Sequence, residues 1–384
     1  MKAKWRGRIP ELDGIRAIAI WMVLLMHVFN GFPTPKGSLS FLPHPVKLLI
    51  DHGWFGVDLF FLLSGFLITG ILLDSKERTH YFKNFYVRRF LRIMPLYFAV
   101  VLVWSFCYRG HGLYFILSSF FGANLYTLFH THAPRGPGVL WSLAVEEHFY
   151  LFWPAIVYLL NRRKLLILCV ALFVGCPILR AIYAAKGMDP AVIYLLTWFR
   201  LDGLAGGAAL AIWARSEYSE RRSAWGVVAG IVAALGAITV AGTAFGLSGT
   251  KTVASVALRY TQAYLFFGAF FALTLMYMDS KWTYWLRTPF MQLTGAFSYC
   301  LYLVHVSLGD VYNFLIDRQH ILHFGPVATI FARGGFLIAA SYGIAAFSQK
   351  YWEGPFLALK DRFTSKTTEI PNAPEPSPAV EIVP

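Results

Sequence analysis

Residues 10–30 read PELDGIRAIAIWMVLLMHVFN, and the fold class follows from them. The run is mostly apolar and close to the roughly 20 residues a helix needs to cross a bilayer. Two ionisable side chains interrupt it, Arg16 near the start and His27 near the end. At about 100° per residue the interval between them closes three turns with roughly 20° left over, so both lie on one face. At about 1.5 Å per residue they stand roughly 16 Å apart along the axis. An ionisable group inside a membrane helix is costly and marks a functional site unless it escapes to an interface. The plainer alternative has Arg16 snorkelling to a headgroup and His27 marking the far interface. Asp13 and Arg16 within the apolar run also argue against a cleavable signal peptide.

Composition agrees with a membrane reading. Of 384 residues, 57% are hydrophobic and only 14% charged, the balance of an all-α, polytopic integral membrane bundle rather than a soluble enzyme. Cys107, Cys169, Cys176 and Cys300 all lie in apolar stretches, which argues against a disulfide framework and against a metal site. The net charge of +14 could suggest a nucleic-acid partner, but its distribution points to membrane topology instead.

About ten spans are predicted, near 11–31, 54–73, 90–108, 141–160, 165–184, 198–214, 226–245, 258–278, 296–315 and 326–349. With the N-terminus in the cytoplasm, Lys and Arg concentrate in the inner connections: Arg88, Arg89 and Arg92, then Arg162, Arg163 and Lys164, then Arg215, Arg221 and Arg222. That is the positive-inside pattern, and it places both termini in the cytoplasm. Residues 113–129, LYFILSSFFGANLYTLF, are apolar enough to be an eleventh span. A crossing there would turn the later basic clusters outward, so the segment is expected to be interfacial or re-entrant on the outer side. Residues 1–363 then form one transmembrane domain, and the proline-rich stretch 364–384 a disordered cytoplasmic tail.

The unusual polar residues fall into two groups. The inner group is basic: Arg88, Arg89 and Arg92, with Arg89 and Arg92 three apart and so able to grip phosphate as a pair. Ordinary topology charge or anionic-lipid contact is the alternative for these three. The outer group is mixed in sign: His27, Asp58, Glu146, Glu147, Arg200, Asp202 and His305. Gathered at one depth on several spans, they form an acid/base site facing the outer half of the membrane.

These residues also carry a resemblance. The chain resembles the membrane-bound acyltransferase 3 family, whose hallmark of an Arg and a His separated by ten residues in the first span is matched by Arg16 and His27. The FFxxSGFL block appears as Phe60, Phe61, Ser64, Gly65, Phe66 and Leu67, and the RxxR run as Arg89 and Arg92 before IMPLY. The WSLxxExxFY block appears as Trp141, Ser142, Leu143, Glu146, Phe149 and Tyr150. The SYxLYLxH block appears as Ser298, Tyr299, Leu301, Tyr302, Leu303 and His305. The late block usually written Glu-Arg-Pro-Phe reads Glu353, Gly354, Pro355 and Phe356 here, without its Arg.

The resemblance implies a multi-pass O-acyltransferase, expected in the bacterial cytoplasmic membrane, with the bilayer as its surroundings and no tightly bound cofactor. Its co-substrate would be cytoplasmic acyl-coenzyme A, acetyl by default, and its acceptor a hydroxyl of an extracytoplasmic glycan or glycolipid. Arg16, Arg88, Arg89 and Arg92 would hold the donor. His27 would act as general base, or carry the acyl group itself. Asp58 or Glu146 would orient its imidazole, and Glu147, Arg200, Asp202 and His305 would contact the acceptor. An ion-coupled transporter with a His/Asp/Glu/Arg site is the rival reading, and it calls for an internal repeat and a discontinuous helix pair.

Overall fold

The structure is a computed structural model that describes residues 9–30, 42–130, 134, 137–220, 222–242, 252–317 and 325–360. The N-terminal basic residues Lys2 to Arg8, the loop 31–41 and the 364–384 segment lie outside the described residues.

Ten helices match the predicted spans in order: α1 (Pro10–Asn30), α3 (Phe55–Ser75), α4 (Tyr81–Cys107), α6 (Leu140–Leu159), α7 (Arg162–Ala185), α9 (Leu201–Ala214), α10 (Arg222–Gly242), α11 (Val253–Met276), α12 (Pro289–Tyr312) and α13 (Pro326–Phe347). Shorter helices lie between or after them: α2 (His44–Asp51), α5 (Gly112–Ser119), α8 (Pro190–Leu195) and α14 (Gly354–Lys360). Among the described residues there is no β-strand. Six helices among the described residues are long and apolar enough to cross a membrane, and 201–214 and 224–235 are shorter apolar helices. The protein is an all-α polytopic membrane bundle.

Two expectations shift. The span predicted at 198–214 begins as a 3₁₀ turn, Thr197–Phe199, and becomes α-helical only at Leu201. Its 14 residues fall short of the length a bilayer asks for, and buried Arg200 sits where the helix starts. The third span begins earlier than predicted, at Tyr81, which brings the basic run onto the helix itself.

The 113–129 segment folds as α5 followed by a 3₁₀ turn, Ala123–Leu128. At about 1.5 Å per residue neither piece can cross a bilayer. The segment is tied to the bundle: Tyr97 Oη donates to Ser118 O at 2.8 Å, and Tyr114 Oη donates to Pro137 O at 2.6 Å. Buried Asn124 donates to Thr197 Oγ1 at 2.8 Å.

Small residues set the closest helix approaches. A Cβ on Gly65 of α3 would run into the Leu204 backbone of α9, and one on Gly207 would strike Leu62. A Cβ on Gly295 of α12 would strike the Asp13 backbone of α1. Such contacts bring backbones together where lipid offers no hydrophobic drive for association. Trp153 Nε1 donates to Thr69 Oγ1 at 2.8 Å, joining α6 to α3. Lys76 Nζ caps the end of α6 through Val157 O and Leu160 O, at 2.8 and 2.7 Å, a favourable place for a cation on a helix dipole.

Candidate functional site

Among the described residues, the cavities of the bundle interior include two of about 550 Å³ each. The inner one is lined by Arg16, Arg78, Arg88, Arg89, Arg92 and Arg215. Arg78, Arg88, Arg89, Arg92 and Arg215 come from connections and helix segments that charge counting assigns to the inside, and Arg16 from the first half of α1. Arg16 is balanced by Asp13, at 2.7 Å. Arg215 grips Asp74 with two nitrogens, Nε to Oδ1 at 2.8 Å and Nη2 to Oδ2 at 2.6 Å. Arg89 lies over the Tyr150 ring, 3.6 Å from its centroid, a geometry that favours a cation. Arg89 and Arg92 line the same cavity, as their spacing predicts.

The outer cavity is of a different kind. His27, Asn30 and Arg259 line it together with the rings of Trp54, Trp141, Tyr194 and Tyr260. Arg16 and His27, three helical turns apart on α1, thus open into different chambers. Two residues, Val57 and Tyr302, line both. At that shared wall Tyr302 Oη lies 2.6 Å from Ser142 Oγ, and Ser142 lines the inner cavity.

His27 meets a second histidine. Its Nδ1 is 2.9 Å from Val23 O and 3.3 Å from His305 Nε2, with the two rings edge to face and centroids 4.8 Å apart. His305 is fully buried, and its Nδ1 lies 2.8 Å from Tyr302 O. A carbonyl can only accept, so both Nδ1 atoms carry hydrogen when the rings are neutral. His305 Nε2 then presents a lone pair to His27, and the basic lone pair of His27 is on its own Nε2.

The carboxylates stand elsewhere than expected. Asp58 accepts a hydrogen bond from Arg200 Nη2, and both are fully buried. The Arg200 guanidinium lies 4.0 Å from the Tyr260 ring centroid, 5.0 Å from Tyr194 and 5.7 Å from Trp141. All three rings line the outer cavity. Arg200 therefore backs the cavity wall, fixing its rings through their faces, rather than reaching an acceptor. Asp202 is likewise withdrawn. It pairs with Arg180 at 2.8 Å, and Arg180 also donates to Thr261 Oγ1 at 2.7 Å and Ala257 O at 2.9 Å.

Glu146 belongs to the inner chamber, not the outer group. It lines the inner cavity and accepts from Ser64 Oγ at 2.7 Å and Tyr150 Oη at 3.0 Å. It lies about 9 Å along α6 from the helix start at Leu140, which carries it below the outer layer. Glu147 lines neither cavity, because the next residue on a helix is turned about 100° away. The partner that orients His27 is thus His305, where a carboxylate was expected.

Sequence reasoning passed over Arg180, Arg259 and Tyr302. Arg180 and Arg259 were visible as cations inside apolar runs, the same signal that singled out Arg16. Tyr302 sits in a motif, but only the fold shows that two cavities share it.

Fold and interior define a polytopic membrane protein with two chambers, one basic and one aromatic, joined across a common wall. A family model described as an acyltransferase domain matches residues 9–346, and the chain belongs to that family. It is 33% identical over 234 residues to the peptidoglycan O-acetyltransferase OatA of Listeria monocytogenes, covering 54% of this chain and 34% of that protein. It is 32% identical over 248 residues to YrhL of Bacillus subtilis, provisionally named a peptidoglycan O-acetyltransferase, covering 58% of this chain and 36% of that one. A provisionally named O-acetyltransferase of Staphylococcus aureus matches at 24% over 388 residues, 92% of this chain and 58% of the relative. The chain thus spans about a third of the length of the first two relatives and more than half of the third. No solved structure matches it significantly.

Proposed function

We propose that this protein transfers an acyl group, acetyl by default, from cytoplasmic acyl-coenzyme A to a hydroxyl of an extracytoplasmic or lipid-linked glycan. The observation that carries this reading is the pair of cavities meeting at Tyr302 and Val57, with arginines lining one and His27 the other. The nucleotide phosphates of the donor suit the inner chamber, where Arg16, Arg88, Arg89 and Arg92 converge, because guanidinium groups bind phosphate through charge-assisted forks. The pantetheine arm then runs toward the shared wall, along a depth comparable with the interval from Arg16 to His27. The glycan suits the outer chamber, whose rings offer flat apolar faces to a sugar. The names of the relatives above make peptidoglycan the first acceptor to test.

His27 is the general base on this reading. Its Nε2 takes the acceptor proton as the hydroxyl oxygen attacks the thioester, and returns it to the departing thiolate. His305 holds the ring and fixes the tautomer.

Inverted membrane vesicles, which expose the cytoplasmic face, test both the chemistry and its direction. Supplied with [¹⁴C]acetyl-coenzyme A, they should build alkali-labile label on lumenal glycan. Right-side-out vesicles should build none. His27→Ala should reduce the rate by about 10²–10⁴-fold. Equal labelling in both orientations, or an unaffected His27→Ala, would overturn the reading.

A further inference from the structure

Transfer between two chambers needs a place where the thioester carbon, the acceptor oxygen and His27 come within bonding reach. The two cavities meet at Tyr302, and Ser142, which lines the inner one, brings a second hydroxyl to that meeting point. Tyr302 Oη and Ser142 Oγ lie 2.6 Å apart, and the carbonyl of Val139 is 3.4 Å from the first and 3.3 Å from the second. Two hydroxyl hydrogens therefore serve one short mutual bond and one long bond to Val139. A bond of 3.3–3.4 Å is near the limit for an O–H donor, which prefers about 2.7–2.8 Å. One hydroxyl hydrogen can thus leave Val139 at little cost for a better acceptor. Tyr302 is also one turn before His305 on α12, and its carbonyl accepts from His305 Nδ1. The hydroxyl pair and the histidine pair are therefore set by the same helical turn.

We propose that Tyr302, backed by Ser142, is the oxyanion donor of the transfer. This rests on the acyl-transfer reading above and adds a catalytic residue to it. The acceptor hydroxyl gives its proton to His27 Nε2, and its oxygen forms a bond to the thioester carbon. The carbonyl π pair moves onto oxygen, where the Tyr302 O–H, swung from its resting acceptor, receives it. The oxyanion then reforms the carbonyl and the C–S bond breaks. Coenzyme A thiolate leaves and takes the proton back from His27. Atoms and charge balance without a further reactant. Ser142 keeps Tyr302 aimed by donating its own hydrogen to Tyr302 Oη across the 2.6 Å contact, which leaves the Tyr302 hydrogen for the oxyanion, so it is a positioning residue.

Buried donors aimed at developing charge act in a low-dielectric site without reorganising water, which is why one such donor is worth a great deal. Tyr302 is nearly buried, so its removal should be felt in the chemical step and not in binding.

Tyr302→Phe keeps the ring that separates the chambers and deletes only the hydroxyl. In the inverted-vesicle assay with [¹⁴C]acetyl-coenzyme A it should lower kcat by about 10²–10³-fold, with KM for acetyl-coenzyme A within a factor of about 3 of wild type. Ser142→Ala should lower kcat by only about tenfold, because Tyr302 keeps its hydrogen. Direct binding of desulfo-coenzyme A to the purified protein should be unchanged in both. A Tyr302→Phe protein with kcat within about threefold of an active wild type would overturn the proposal and leave acyl transfer standing. A loss carried by KM or by coenzyme A affinity would overturn it too, assigning Tyr302 to the wall alone. A wild type that never labels glycan would remove the acyl-transfer reading, and the oxyanion role with it.

Discussion

The two cavities have equal volumes and opposite chemistry. The inner one is rich in cations, several already balanced by carboxylates: Arg16 by Asp13 and Arg215 by Asp74. The outer one is walled by rings, and its large charge, Arg200, stands behind them against Asp58. In the first, six arginines face the space; in the second, Arg259 and His27 face it among rings, while the Arg200–Asp58 pair is spent on holding the wall. A chamber for a polyanion needs fields that reach into it, whereas a chamber for a neutral ring system needs flat surfaces held still. The contrast explains why similar residue types, Arg with Asp, do different work within one bundle.

The sharpest way to break that contrast is to disturb the wall from behind. Arg200→Ala leaves Asp58 as an uncompensated buried charge, and Arg180→Ala does the same to Asp202. Removal of one member of a buried pair costs about 3–5 kcal/mol, so both variants should lose heat stability in detergent, with yield falling in step. Melting curves at wild-type level for both would mean that the pairs are not what holds the outer wall.

A smaller effect is expected at the inner chamber. Arg89→Ala with Arg92→Ala removes two charge-assisted phosphate contacts of about 1.5–3 kcal/mol each. Affinity for coenzyme A should fall at least tenfold, and Lys at both positions should recover part of the loss but not the forked geometry. Equilibrium dialysis with labelled coenzyme A measures this. Equal affinities would return the cluster to a topology signal.

His305→Ala should be milder still. It deletes one hydrogen-bond partner of His27, worth about 0.5–1.5 kcal/mol, so acyl transfer should slow by roughly tenfold or less. A loss as large as that of His27→Ala would mean that both rings handle protons.

Much of this was legible beforehand. The shared face of Arg16 and His27 needs only helix arithmetic, and the refusal to let 113–129 cross follows from the basic clusters downstream. The pairing of Arg89 with Arg92 also follows from spacing. What sequence left hidden is lateral. His27 finds its partner 278 residues away, and no local pattern records which helix lies beside α1. Depth misled in the case of Glu146, where two neighbouring carboxylates near a helix start read as one outer layer although the helix carries the first into the inner chamber. Asp58 and Arg200 read as site residues because intramembrane charge usually marks a site; the fold spends them on each other. The rival transporter reading called for a repeat and a broken helix pair, and the two-chambered interior gives acyl transfer the closer fit.

The most direct measurement separates the chambers in a single experiment. Coenzyme A binding and acetyl transfer are measured side by side for wild type, His27→Ala and the Arg89→Ala/Arg92→Ala double variant. The expected result is that His27→Ala binds coenzyme A like wild type while transfer falls by about 10²–10⁴-fold, and that the double variant binds at least tenfold more weakly. A His27→Ala protein that loses coenzyme A binding, or a double variant that keeps it, would contradict the division of donor and acceptor between the two cavities.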